Sequence, residues 1–154
     1  MMVTAHRIVR SRFGRSAFDG EGARTFGGRW SSPGTVVVYV SSSVPLAMLE
    51  VVVHLPAPRL LEDYVLISLR IPERLIEVLA PRRLPEDWRE SPPSPGAQRI
   101  GDDWAVSGRS AVLRVPSALD PGSANYLLNP AHAAFKQIKI GLPQRFPFDG
   151  RLTR

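Results

Sequence analysis

Residues 35–55 read TVVVYVSSSVPLAMLEVVVHL, and the change of pattern inside this stretch decides the fold. Thr35 to Val40 is β-branched almost throughout and apolar at consecutive positions, which predicts a strand covered on both faces and central in a sheet. The triplet Ser41-Ser42-Ser43 breaks the run. Ser43 can cap a helix through its side-chain oxygen, and Pro45 suits a first helical turn, where a missing N–H leaves no bond unmade. Pro56 and Pro58 end that helix. A buried strand therefore runs through three serines into an apolar helix that carries one carboxylate, Glu50.

Working outward, residues 3–9 (VTAHRIV) and 64–71 (YVLISLRI) predict strands, and 110–115 (SAVLRV) a further one that stops at Pro116. Residues 133–140 (AAFKQIKI) alternate at their end and predict a strand with one wet face; residues 146–153 predict a closing edge strand, since Pro147 suits an edge. Residues 10–34, rich in Gly, Ser and Arg, predict an irregular functional loop. Residues 73–79 fit helix or strand equally, and the proline-rich 80–104 predicts a surface excursion with one helical turn near Asp87 to Glu90. No internal repeat is present. Many strands and one clear helix favour an α+β fold over a doubly wound sheet.

The chain has 154 residues, the size of a single domain spanning 1–154. Apolar residues make up 44% and charged residues 22%, an ordinary globular mixture. With no cysteine there is neither a disulfide nor a thiolate metal site, which suits a reducing cytoplasm. The opening MMVTAHRIVR lacks the apolar core of a signal peptide, and the run Val36 to Val40 is far too short to span a membrane, so a cytoplasmic location with no membrane contact is expected. The net charge of +6 leaves three partners to weigh: nucleic acid, an anionic small substrate or an acidic protein. The Arg residues are scattered and do not interleave with aromatics, which argues against direct nucleic-acid binding.

Four segments can carry chemistry. In Gly27-Gly28-Arg29-Trp30, the glycines let backbone approach a ligand closely, and Arg29 can grip phosphate or carboxylate as a bidentate fork; the plainer reading is a turn with a surface Arg. Tyr39, inside the apolar strand, is either core with a satisfied hydroxyl or a ring lining a pocket. Glu50 among Leu49, Val51, Val52 and Val53 lies either on the helix's polar edge or in a cleft beside a cation. Ser117, just after Pro116, caps or turns the chain, or donates into a site.

Taken together, these segments resemble the RES family, named for its Arg, Glu and Ser. The matching stretches are FDGEGARTFGGRW (18–30), residues 31–55, LPEDW (84–88), IGDDW (100–104), SAVLRVPSA (110–118) and NYLLNPAHAAF (125–135), in the family's order. The resemblance identifies Arg29, Glu50 and Ser117 as the name-giving residues, with Tyr39 as a further pocket residue. Ser31, Ala124 and Ala133 depart from the family's usual Asn, acidic residue and Pro at the pocket rim. The implied fold is ADP-ribosyltransferase-like: two small, mainly antiparallel sheets around an NAD cleft, with flanking helices. The implied activity is that of a toxin of a type II toxin–antitoxin system, cleaving the nicotinamide–ribose bond of NAD by glycohydrolysis or phosphorolysis. In some members the outcome is ADP-ribosylation of a protein. On this reading NAD is a substrate rather than a cofactor, phosphate is an optional co-substrate, and no metal is needed. The implied partner is an antitoxin with a DNA-binding part and a segment that covers the cleft, giving a hetero-oligomer.

The chemistry suits the residue types. Breaking the bond releases neutral nicotinamide and builds positive charge on the ribose, which a carboxylate at Glu50 can stabilise. Arg29 and the N–H groups of the Gly27-Gly28 turn suit the pyrophosphate, Tyr39 the nicotinamide side, and Ser117 a phosphate or a ribose hydroxyl. Arg7, with His6 and Arg10, is expected on the phosphate side from its position alone. Two rivals remain at this stage. A basic, non-enzymatic binding module makes Glu50 incidental. A metal nuclease needs clustered ligands, whereas His6, His54 and His132 are far apart in sequence.

Overall fold

The computed structural model describes residues 1–56 and 61–153; Pro58, expected to help end the first helix, lies outside them. The strands are β1 (Met2–Arg10), β2 (Val38–Ser41), β3 (Tyr64–Pro72), β4 (Ile76–Val78), β5 (Val112–Pro116), β6 (Ala124–Leu128), β7 (Lys139–Ile140) and β8 (Gln144–Arg145). The α-helices are α1 (Glu21–Phe26), α2 (Val44–Val53) and α3 (Pro95–Ser107). The strands connect in the order β4-β5-β6-β2-β1-β3-β7, with β8 also on β3. All pairings are antiparallel except β4 with β5. β1 and β2 share one register pair, His6 with Ser41, so the sheet divides there into two halves. This is the expected α+β architecture.

The two faces of the β2-β6-β5 half are sorted by alternation. Val38, Val40, Tyr126, Leu128 and Val112 face one core together with Ala5, Leu69 and Ile71. Leu113, Val115 and Leu127 face the other, beneath Trp30 and α3's Ala97, Ile100 and Trp104, with Tyr39 packed at its edge. Trp30 and Trp104 are each only 1% exposed, and burying such a side chain stabilises by roughly 1.5–3 kcal/mol. α2 seats Ala47 against Ile8 and Tyr64, on β1 and β3. Ser43 caps it as expected, accepting from Leu46 N at 3.2 Å, and the helix ends at Val53.

Four expectations need correction, and one strand, β6, had no expectation. Residues 80–104 are not wholly a surface excursion: α3 begins at Pro95, because Ser94 Oγ accepts from Ala97 N at 3.2 Å and a left-handed Gly108 closes the far end. Residues 124–128 form the fully buried β6, whose run ANYLL offers no alternation. The loop 10–34 contains α1, initiated after a left-handed Gly20. Residues 133–140 fold mainly as a 3-10 helix, Ala133–Gln137, capped by His132, before the two-residue β7. The closing strand is Gln144–Arg145 rather than 146–153, where Pro147 has no N–H for a ladder. The ambiguous stretch 73–79 resolves into a 3-10 turn followed by β4.

Candidate active site

The direct turn from β2 into α2 sets the site. Asn125 stands opposite Ser41, the last residue of β2, so the start of α2 lies over this end of β6. Glu50 Oε1 there accepts from Asn125 Nδ2 at 2.9 Å and lies 3.5 Å from Ser117 Oγ. Ser117 follows β5 and is fully buried. Its Oγ accepts from Leu119 N at 3.1 Å and from Asp120 N at 3.3 Å, so its lone pairs are engaged and its proton is left to point at Glu50. Asn125 is also buried, and its Oδ1 has no partner among the described residues. An unsatisfied buried acceptor costs roughly 1–3 kcal/mol.

A second cluster lies on the same face. Tyr39 is opposite Leu127, two positions from Asn125, so the two side chains emerge on one side of the sheet about 7 Å apart along the strand. The Tyr39 hydroxyl accepts from Trp30 N at 3.1 Å and lies 2.7 Å from Ser31 Oγ. Burial pushes its phenol up to about 12, against the opposing pull of the Ser31 and Trp30 hydrogen bonds, so it stays neutral at physiological pH. Gly28 is a glycine for a plain reason: a Cβ there would sit 2.6 Å from the Tyr39 oxygen.

Arg29 projects from this loop. Its Nη1 donates to Trp88 O and Glu90 O, both at 2.8 Å, and Trp30 stacks on Trp88 with centroids 5.8 Å apart. Among the described residues no hydrogen bond engages its Nε or Nη2, which leaves one edge of the fork for an anion. The intervening Arg89 donates through Nε and Nη2 to Ala118 O, at 3.1 and 2.8 Å, next to Ser117. Segment 88–90 thus bridges the Arg29 loop to the turn that contacts Glu50, and the structure brings Arg29, Tyr39, Glu50 and Ser117 to one side of the molecule.

Arg7 has other work. Its Nε donates to Ala17 O and its Nη1 to Tyr39 O, both at 2.8 Å, tying three backbone segments together. It follows the alternation of Ala5, which packs against Val38 and Val40 on the face opposite the Tyr39 ring. Burial pushes its guanidinium down to about 10, partly offset by Asp19, so it remains charged at neutral pH. His6 meets Ser68 Oγ at 2.9 Å, and Arg10 lies 5.7 Å over the Tyr64 ring, beside a hollow bordered by His54. His54 meets Glu50 O at the end of α2. Among the described residues, no three His, Asp or Glu side chains converge as metal ligands would.

The RES domain family matches the chain over residues 4–149. The chain belongs to this family. It is 41% identical over 150 residues to Toxin Res of Photorhabdus laumondii, covering 97% of this chain and 96% of that one. It is 38% identical over 138 residues to the Prs ADP-ribosylating toxin of a Sphingobium species, covering 88% and 86%. A chain in the crystal structure of the M. tuberculosis MbcT–MbcA toxin–antitoxin complex superposes with a TM-score of 0.77 at 23% identity, over 96% of this chain and 85% of that one, so the two share a fold. This RES domain therefore shares its fold with a chain of a toxin–antitoxin complex and is related along its length to proteins named as toxins.

Two residues of the candidate site were not singled out from sequence, although both lie in stretches that resemble the family, 125–135 and 100–104. Asn125 was hidden because β6 was not read as a strand. Asp102, which fixes the Arg29 loop, was hidden with α3; the signal available was Ser94-Pro95 ahead of Ala97, Ile100 and Trp104 at helical spacing.

The Tyr39 hydroxyl yields a first prediction. Tyr39→Phe keeps the ring but strands Trp30 N and Ser31 Oγ, both on buried residues. The expected loss is about 1–3 kcal/mol, read as a lower urea midpoint with an unchanged slope. An unshifted midpoint would show that the hydroxyl does not hold the loop.

Proposed function

We propose that this chain is the toxin of a type II toxin–antitoxin system and acts by cleaving the nicotinamide–ribose bond of NAD. The observation that carries the reading is the placement of the Glu50 carboxylate, fixed by Asn125, on the same side of the sheet as the anion-ready edge of Arg29. The shared fold with a chain of a toxin–antitoxin complex and the likeness to an ADP-ribosylating toxin support it.

In this reading Arg29 holds the pyrophosphate and Tyr39 supports the loop that presents it; the expected help from the Gly27-Gly28 backbone does not hold, because those N–H groups already donate to Ala23 O and Ser31 O. Ribose lies over Glu50, with a hydroxyl donating to its carboxylate, which Asn125 Nδ2 holds in place. As the C1′–N bond breaks, its electron pair neutralises nicotinamide and positive charge gathers on C1′, facing the carboxylate. Ser117 acts through Glu50, because its buried hydroxyl reaches the cleft only by way of that side chain. An oxygen of water or of inorganic phosphate then bonds to C1′, and the acceptor's proton passes to solvent. An antitoxin covering this cleft would silence it.

The purified chain incubated with NAD is expected to release free nicotinamide, and comparing products with and without phosphate identifies the acceptor. Intact NAD after prolonged incubation overturns the reading. The Sphingobium relative favours one alternative, transfer of ADP-ribose to a protein. Mass spectrometry of treated lysate separates the two, since only transfer adds ADP-ribose to a polypeptide.

A further inference from the structure

We propose that Asp102 on α3 is a positioning residue: it sets the conformation of the loop that presents Arg29, and so governs dinucleotide binding rather than bond cleavage. The inference rests on the NAD reading above.

Three residues on one face of α3, at i, i+3 and i+4, grip the loop at successive points. Gln98 Nε2 donates to Gly28 O at 3.1 Å. Gly101 lies directly beneath the Trp30 carbonyl, where a Cβ would come within 1.8 Å of its oxygen. Asp102 Oδ1 accepts from Ser32 N at 2.9 Å and from Thr35 Oγ1 at 2.7 Å. Arg29 sits between the first and second of these grips, and Ser31, the partner of Tyr39, between the second and third.

Asp102 is not needed to seat the helix. Ala97, Ile100 and Trp104 do that by packing under Trp30 and on Leu113, Val115 and Leu127, and Asp102 is no part of that cluster. Its neighbour Asp103 is exposed, whereas Asp102 is turned inward to a backbone N–H and a hydroxyl of the loop. A charged acceptor holding two donors gives stronger bonds than a neutral one, and both bonds end within six residues of Arg29. Loosening them would release the guanidinium from its set position while leaving Glu50, Asn125 and Ser117, on other elements, undisturbed.

The test compares wild type, Asp102→Ala, Asp102→Asn and Thr35→Val. Asp102→Ala is expected to raise KM for NAD roughly ten-fold and to change kcat less than about three-fold. It should also speed hydrogen exchange at the Ser32 amide. Asp102→Asn keeps an oxygen acceptor but loses its charge, and should fall between wild type and Asp102→Ala in both readouts. Thr35→Val removes one of the two bonds and should shift KM in the same direction by less; it also carries the test if Asp102→Ala does not fold. The proposal is overturned if Asp102→Ala leaves KM and Ser32 exchange unchanged, if kcat falls with KM constant, or if Asp102→Asn is as impaired as Asp102→Ala. If wild type leaves NAD intact, the NAD reading fails by itself, and Ser32 exchange still decides whether Asp102 holds the loop.

Discussion

Glu50→Gln is expected to lower the rate of nicotinamide release by about 10²–10³-fold while leaving KM for NAD within roughly three-fold. The substitution is nearly isosteric. The remaining side-chain oxygen can still accept from Asn125 Nδ2, which donates to Glu50 Oε1 at 2.9 Å, so the geometry of this pair survives. What disappears is the negative charge. In the ground state the positive charge is spread over the nicotinamide ring, so the carboxylate gains only part of its interaction there. The transition state needs it, because positive charge collects on the ribose carbon as the bond lengthens. An interaction that grows only on the way to the transition state appears in kcat. Initial rates by chromatography of nicotinamide, with urea midpoints to show equal folding, provide the measurement. A variant with wild-type turnover would remove Glu50 from the chemistry. The same substitution should relieve growth inhibition when the chain is expressed without a partner.

Glu50 was legible in sequence because a lone carboxylate inside Leu49 to Val53 conflicts with its surroundings, and such conflicts gather at functional sites. The strand-to-helix turn was legible for a similar reason: Ser43 and Pro45 are local signals for a local event. Asn125 and Asp102 lie in matching stretches, but neither conflicts with its neighbours as Glu50 does. Asn125 meets Glu50 across 75 residues, and Asp102 meets Ser32 across 70, so each matters only once the sheet is assembled. α3 was masked by Pro92, Pro93 and Pro95, which suggest an irregular segment as a group although the last is a favourable helix start. β6 was masked because a strand buried on both faces has no period to detect. Single side chains with unusual neighbours were readable, while the long-range pairing that aligns them was not. For Arg7 position alone suggested ligand contact, and alternation from Ala5 turns it to the far face instead.

Gly101→Ala is expected to destabilise the fold by about 3 kcal/mol or more and to lower the melting temperature by roughly 10 °C. Two effects oppose each other. Replacing Gly by Ala inside a helix ordinarily gains about 1 kcal/mol through propensity. Against it stands a methyl group built 1.8 Å from Trp30 O and 2.9 Å from Trp30 C, which are backbone atoms that no rotamer change can move. Relief requires α3 to retreat, which withdraws Ile100 and Trp104 from Leu113 and Leu127, or the loop to retreat, which breaks Trp30 N from Tyr39 and unseats Arg29. Either response exceeds the propensity gain. Gly96→Ala supplies the comparison within the same helix: a Cβ there meets only Pro85 side-chain carbons at 3.6 Å, so that variant should be neutral or slightly stabilised. Thermal melts of the two variants side by side test the packing directly. If Gly101→Ala melts as high as Gly96→Ala, then α3 does not press on the Arg29 loop, and the account of how that loop is held fails with it.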